Sequence, residues 1–167
     1  KFEPKFLFMF TETQRFTQWW LWLILIGSWI TMMYAIATVS PPTTITFMIS
    51  FGLGMLLPVF FWQMKLVTRI AEEGIYVRFT PFHFKEKFYP WDSLSACYVR
   101  TYSPLMEYGG WGIKYSFKGN GLVYNTAGNV GLQLNFKEGD PVLIGTQKGE
   151  EIKAVLAELG RLTESVK

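Results

Sequence analysis

The sequence predicts a helical hairpin in a membrane, followed by a water-soluble all-β domain of about seven antiparallel strands that a C-terminal helix caps. The 167 residues are 50% hydrophobic and 18% aromatic but only 17% charged, below the ~25% of ordinary soluble domains. From Phe16 to Met64 there is no Asp, Glu, Lys, Arg or His. After Lys65 charges return and short alternating segments begin, so the chain divides there into a membrane part and a soluble part.

Composition also limits the function. A single Cys and a single His exclude a disulfide framework and a multi-ligand zinc site. A net charge of +3 is too small to indicate nucleic-acid binding. We therefore expect no metal, no cofactor, no nucleic acid and no small-molecule substrate.

Two apolar segments, 19–39 and 43–64, flank a break at Ser40-Pro41-Pro42. At 1.5 Å per residue each helix would be about 30 Å long, the thickness of the hydrocarbon core of a bilayer. Proline cannot continue a helix, and so short a break predicts an antiparallel hairpin. A cleaved signal peptide is the competing interpretation of the first segment, but that segment is longer than a typical apolar signal region of ~7–15 residues.

Flanking charges and aromatic residues predict the orientation. Lys1, Lys5 and Arg15 precede the first helix, Lys65 and Arg69 follow the second, and the break is uncharged. The positive-inside rule places both termini in the cytoplasm. An aromatic belt is expected at the same interface, formed by Trp19, Trp20, Trp22 and Trp62.

The segment 1–18 admits two interpretations. Its apolar residues recur at helical spacing with Lys5 and Arg15 interleaved, which favours an amphipathic segment on the cytoplasmic leaflet: Phe2, Phe6, Met9, Phe10 and Phe16. Thr11 and Gln14 fit a capping box, which predicts a helix start. The alternative is a strand over 6–10 that joins the soluble domain, which we expect to cover 65–167.

Small residues predict helix contacts within the bilayer. Gly27 and Thr31, and likewise Ser50 and Gly54, are one turn apart and permit close approach of backbones. They serve either a partner helix or the hairpin itself, and Pro58 predicts a bend. No ionisable residue lies in either span, which argues against a channel or transporter acting alone. A quinone or tetrapyrrole against the aromatic residues is the less favoured alternative, since no His could ligate one.

The soluble part reads as short strands. Alternation and turn signals place them at 74–80, 82–89, 96–102, 112–117, 122–126, 131–136 and 141–145. Asn120-Gly121 and Lys137-Glu138-Gly139-Asp140 mark two hairpin turns. Apolar residues at helical spacing predict a final helix that covers the open end of a barrel or sandwich: Ile152, Val155, Leu156, Leu159 and Leu162.

This arrangement resembles bacterial two-span membrane proteins that carry a pleckstrin-homology-like (bacterial PH) domain. The segment from Tyr89 to Leu94 (YPWDSL) is similar to the aromatic-Pro-Trp turn of that family. Tyr108 to Ile113 (YGGWGI) and Leu143 to Gln147 (LIGTQ) resemble one uncharacterised branch. The resemblance implies a bacterial inner-membrane protein whose PH-like barrel is cytoplasmic, a tethered binding or scaffold module without an established ligand.

The candidate contact residues are basic or aromatic. Arg78, Lys85, Lys87 and Arg100 fall in the first three predicted strands, where they could face anionic lipid. Trp111 lies in a Gly-rich turn that has neither a Walker nor a dinucleotide pattern. We expect a tight turn there that presents Trp111 to the core or to a partner.

Nothing in the sequence reads as an active site. His83 stands between two Phe residues without a recognisable nucleophile, and Cys97 reads as a small buried hydrophobe. The adjacent acidic pairs Glu72-Glu73 and Glu150-Glu151 do not face each other as acid–base catalysis requires.

Three functions follow in order of preference. The first is an accessory structural subunit that contacts other integral-membrane subunits of a larger complex. The sequence does not name that complex, and a respiratory or photosynthetic one is a guess. The second is a protein that binds or senses lipids of the inner leaflet, and the third, least favoured, is an enzyme.

Overall fold

A computed structural model describes residues 9–39, 43–116 and 119–163 of the chain. The predicted break at 40–42 and the first eight residues of the predicted interfacial segment lie outside these ranges. The chain forms two compact units. One is helical and covers 16–64. The other, the β unit, is assembled from both flanks of the helical unit, 9–15 and 65–163.

The helical unit consists of α1 (Trp19–Val39) and α2 (Thr44–Gln63). Both helices are long and apolar enough to cross a membrane, and almost none of their residues is buried within the protein. A helix that is apolar on every side needs an apolar environment such as a bilayer. Thr43 caps α2 by accepting a hydrogen bond from the backbone N–H of Thr46. The helix continues through Pro58, which is buried.

Aromatic contacts show that α1 and α2 are antiparallel. The rings of Phe16 and Phe61 lie 5.4 Å apart at one end of the pair. Further along, Trp29 meets Phe51 with a centroid distance of 5.0 Å. The residue numbers of the contacting rings increase along the first helix and decrease along the second, so 16–64 is an antiparallel helical hairpin.

The first strand, β1 (Phe10–Arg15), lies where the sequence favoured an interfacial helix beginning at Thr11. It pairs antiparallel with β2 (Lys65–Ala71), from Phe10 opposite Ile70 to Arg15 opposite Lys65. Phe10, Glu12 and Gln14 are buried while their neighbours are exposed, a period of two that belongs to a strand. The alternative of an added strand at 6–10 therefore named the right kind of element; residues 6–8 lie outside the described residues, and the described strand extends from Phe10 to Arg15.

The β unit contains two sheets. The first has the order β1-β2-β3-β4 and is antiparallel, with β3 at Gly74–Thr80 and β4 at Lys87–Pro90. The second has the order β5-β8-β9-β7-β6 and is antiparallel except for the parallel pair β7–β9. Its strands are β5 (Leu94–Thr101), β6 (Gly112–Tyr115), β7 (Leu122–Asn125), β8 (Val130–Phe136) and β9 (Val142–Thr146).

The expectation of about seven strands in a barrel needs correction. The described residues form nine strands, and the two sheets do not close into a barrel. The two additional strands, β1 and β2, flank the apolar hairpin. The segment predicted at 82–89 is a strand only from Lys87, because Pro81 and the residues after it form a turn.

The core of the β unit is aliphatic and aromatic, and α4 (Gly149–Glu158) completes it. Fully buried side chains come from both sheets, among them Leu66, Ile70, Val77, Phe79, Leu132, Leu134 and Ile144. Ile152 and Leu156 of α4 are also fully buried. The helix ends at Glu158, earlier than the apolar pattern predicted, and Leu162 is exposed. A short helix, α3 (Pro104–Tyr108), precedes β6.

Candidate interaction surfaces

The chain leaves and rejoins the first sheet at a single row of residues. Arg15 of β1 is opposite Lys65 of β2, and Lys65 is opposite Thr80 of β3. Neighbouring strands lie about 4.8 Å apart, so the three backbones form one edge. Residues 16–64 must therefore begin and end at the same end of the sheet.

Five cations mark this end of the first sheet. Leu66 is buried in β2, so Lys65 points to the outer face, and Arg78 of β3 does the same. We call the group the basic end; it consists of Arg15, Lys65, Arg78, Lys85 and Lys87. The opposite end of the sheet carries the acidic turn Glu72-Glu73 between β2 and β3.

A loop of exposed aromatic residues follows β3 at the basic end. We call residues 81–86 the aromatic loop. The side chain of Phe84 is 93% exposed and that of Phe82 is 50% exposed. Exposed Phe residues at a loop tip are unfavourable in water, and they favour a surface that meets lipid or another protein.

The base of the aromatic loop is fixed by His83. Its backbone N–H donates to the carbonyl of Phe79 over 2.8 Å, and its Nδ1 accepts from the N–H of Phe79 over 3.2 Å. Its ring meets the edge of Tyr124 at 5.2 Å. Burial and the nearby charge of Lys87 lower the pKa of His83, which favours the neutral imidazole that this acceptor role requires.

Arg100 does not belong to the basic end, although the sequence grouped it with Arg78. It lies on β5, in the other sheet. Its guanidinium donates to Glu107 Oε2 over 2.9 Å and to Gln133 Oε1 over 2.9 Å. The short helix α3 supplies that carboxylate, so the charge of Arg100 serves the fold of the second sheet.

Trp111 is half-buried in the Gly-rich turn after α3. Gly109 ends that helix with a φ of 70°, a left-handed conformation that favours glycine. The indole N–H of Trp111 donates to the carbonyl of Gly128 over 3.3 Å. The turn therefore directs Trp111 back onto its own unit.

A buried polar cluster, which the sequence analysis missed, holds β1 to the second sheet. Glu12 accepts from the hydroxyl of Thr146 over 2.6 Å and from the backbone N–H of Gln147 over 2.9 Å. Gln14 donates to the carbonyl of Gly145 over 2.7 Å. These contacts join the start of the described chain to β9. The sequence signal for this strand was the alternation of Thr with Glu or Gln over 11–14, but the same residues also fit a capping box.

The two small-residue pairs of the hairpin behave differently. A Cβ at Gly54 would overlap the indole of Trp29 and lie 2.7 Å from Met32 Cε, so Gly54 lies at the contact between α1 and α2. A Cβ at Gly27 would have nothing within 4 Å. The hydroxyl of Thr31 donates back to the carbonyl of Gly27 over 2.9 Å.

The remaining membrane-interface and packing candidates lie as follows. Trp19 and Trp20 begin α1 and Trp62 lies near the end of α2, all three exposed. Trp22 is half-buried and donates its indole N–H to the carbonyl of Phe16 over 2.9 Å. Because the helices are antiparallel, these Trp residues share one end of the hairpin. Ser50 lies one turn before Gly54 and is half-buried.

The reactive groups found in the sequence are held in unreactive states. Cys97 is buried on β5, and burial raises its thiol pKa to about 12, which disfavours the nucleophilic thiolate. Among residues 9–39, 43–116 and 119–163, no three His, Cys, Asp or Glu side chains are grouped as metal ligands.

Comparison with protein-family models, curated proteins and solved structures gives no significant match to this chain. The resemblance to bacterial PH-like membrane proteins therefore stays a prediction, and function must be argued from the surfaces described above.

Proposed function

We propose that this protein is a membrane-anchored interaction module that acts by binding, as an accessory structural subunit of a larger membrane protein complex. Its helical hairpin would meet integral-membrane partners, while the β unit stays in water. Bioenergetic assemblies, respiratory or photosynthetic, are the complexes we would search first.

The unoccupied face of α1 around Gly27 carries this proposal. The hairpin uses the small residue Gly54 for its own contact but leaves Gly27 without a neighbour within 4 Å of a Cβ. Thr31 satisfies its hydroxyl within α1, so this face can pack against an apolar surface without an unpaired donor. In lipid, where the hydrophobic effect does not drive helix association, small residues let a second helix approach closely.

We propose a bacterial inner-membrane location with both termini and the β unit on the cytoplasmic side. The cations that flank the hairpin in the sequence support this orientation, and the resemblance to bacterial PH-like membrane proteins supports the choice of membrane. We also propose that the β unit is a divergent PH-like domain. The antiparallel strands and the C-terminal helix packed on them support that assignment, whereas the open sheets and the parallel pair β7–β9 depart from a simple barrel.

A second candidate function is contact with lipids of the inner leaflet. The observation in its favour is the basic end, where Arg78, Lys85 and Lys87 are exposed. Cations near an anionic leaflet contribute about 1 kcal/mol each. This candidate is compatible with the first, because the hairpin and the basic end are separate parts of the chain.

The test of the proposed subunit role is gentle detergent extraction from native membranes, followed by a native gel and mass spectrometry. We expect the chain to migrate in a large stoichiometric assembly. Gly27→Leu should lower the assembled fraction about tenfold, the effect of about 1.4 kcal/mol in association free energy. Gly52→Leu is the matched control. A Cβ at Gly52 also has nothing within 4 Å, but the large side chains of Met48 and Leu56 lie one turn to either side, so a helix cannot approach closely there.

Two results would contradict the proposal. Wild-type protein that migrates as a lone chain of 19.3 kDa or as a small homo-oligomer excludes the subunit role. Equal assembly of the Gly27→Leu and Gly52→Leu variants excludes the Gly27 face as the contact.

A further inference from the structure

We propose that the aromatic loop is a membrane-insertion element, which places Phe82 and Phe84 in the interface of an anionic bilayer while Arg78 and Lys85 of the basic end bind the lipid phosphates. This inference rests on the proposed membrane anchoring. It goes further by naming a second contact with the membrane, made by the β unit.

The strand register brings the loop to the place where the chain becomes apolar. Met64 caps the end of α2, and Lys65, the next residue, opens β2. Thr80 lies opposite Lys65, and Phe82 follows two residues later. An extended chain covers about 3.5 Å per residue, so Phe82 lies within about 7 Å of that row along the chain. The polar interface of a bilayer is about 5–7 Å thick on each side.

The side chains of the loop have the chemistry that this interface selects. Phe84 is almost fully exposed and Phe82 is half exposed. Lys85 follows Phe84 directly in the sequence. Apolar Phe side chains bury at the boundary between headgroups and acyl chains, and neighbouring Lys side chains reach the phosphates.

Contacts at the base hold the loop in this presentation. His83 is bonded twice to Phe79, and Glu86 forms an ion pair with Arg69 over 2.7 Å. Lys87 donates to the hydroxyl of Tyr124 over 2.7 Å. Phe84 therefore projects from a fixed turn. The ring of Phe82 lies 5.9 Å from that of the buried Phe79 and is half exposed, so insertion requires little ordering of the chain.

The charges of the first sheet favour lipid over a generic protein partner. The cations gather at the end that carries the aromatic loop, whereas Glu72 and Glu73 occupy the opposite turn. An anionic leaflet attracts the basic end and repels the acidic turn. The sheet is thereby oriented with its aromatic loop toward the lipid.

Spin labels on the full-length protein in phosphatidylglycerol-containing vesicles test the proposal. Single labels are placed at Phe84→Cys, at Leu105→Cys and at Ile30→Cys in a Cys97→Ala background. Collision with oxygen, which concentrates in lipid, is compared with collision with a water-soluble nickel chelate. Leu105 is an exposed position on α3, so its label serves as the reference for contact with water. Ile30 is an exposed position on α1, so its label serves as the reference for contact with lipid.

We expect the oxygen-to-nickel ratio at position 84 to exceed that at position 105 several-fold. Charge reversal by Arg78→Glu with Lys85→Glu should move label 84 toward water, and Lys114→Glu with Lys137→Glu, also exposed positions, should not. A label 84 as water-accessible as label 105, with label 30 in lipid, overturns the insertion proposal and leaves the anchoring intact. If label 30 is in water as well, the anchoring itself fails.

Discussion

Glu12→Ala should lower the free energy of unfolding of the β unit by about 2–3 kcal/mol. The substitution removes the acceptor of two hydrogen bonds, from the buried hydroxyl of Thr146 and from the N–H of Gln147. A buried donor left without a partner costs about 1–3 kcal/mol. Because β1 is held to the second sheet through these bonds, we expect the loss to release the strand that leads into the hairpin.

Pulse proteolysis of the full chain in detergent across a urea series measures this effect. Thr11→Ala is the matched control, since Thr11 is a neighbouring β1 residue that points to solvent and should change stability by less than about 0.5 kcal/mol. Glu12→Gln keeps an acceptor oxygen and should recover part of the loss. Equal urea midpoints for Glu12→Ala and Thr11→Ala would show that the buried cluster does not anchor β1.

Gly54→Leu should separate the two helices of the hairpin. Its Cβ would overlap the indole of Trp29 and lie 2.7 Å from Met32 Cε, whereas Gly52 faces open space. Overpacking of this kind costs about 1–3 kcal/mol even where side chains can shift. Loss of the ring contact between Trp29 and Phe51 would add to the effect.

Mobility on an SDS gel distinguishes the two variants, because they have the same mass and composition. A hairpin whose helices part binds more detergent, so Gly54→Leu should migrate differently from wild type while Gly52→Leu migrates with it. Identical mobility of all three proteins would mean that the helices do not pack through Gly54.

Strong local patterns made the main elements predictable from the sequence. An uncharged stretch of spanning length gives two helices, and alternation bounded by turn residues gives strands such as β3 and β8. β1 escaped prediction because its buried positions include Glu12 and Gln14, which a hydrophobic pattern assigns to solvent. Only the tertiary contact with Thr146 and Gly145 makes those side chains suitable for burial.

The interaction surfaces were predictable only in part, because charge and hydrophobicity alone do not show which side chains meet in the fold. Arg78, Lys85 and Lys87 were identified by charge alone. The register of the first sheet groups Arg78 with Arg15 and Lys65, whereas Lys87 is opposite the buried Val77 and donates to Tyr124. Arg100 has the same chemistry, but α3 places Glu107 beside it. The exposure of Phe82 and Phe84 could not be read from sequence, because alternating Phe residues are equally typical of a buried strand.

We expect residues 16–64 to cross the membrane twice and to return to the side of the β unit. Labelling of intact bacterial cells with a membrane-impermeant maleimide tests it, using single substitutions Thr11→Cys, Thr43→Cys and Lys137→Cys in a Cys97→Ala background. These three positions are exposed. We predict that Thr43→Cys reacts in intact cells, whereas Thr11→Cys and Lys137→Cys react only after lysis. Reaction of Thr43→Cys and Lys137→Cys from the same side would show that the hairpin does not cross the membrane.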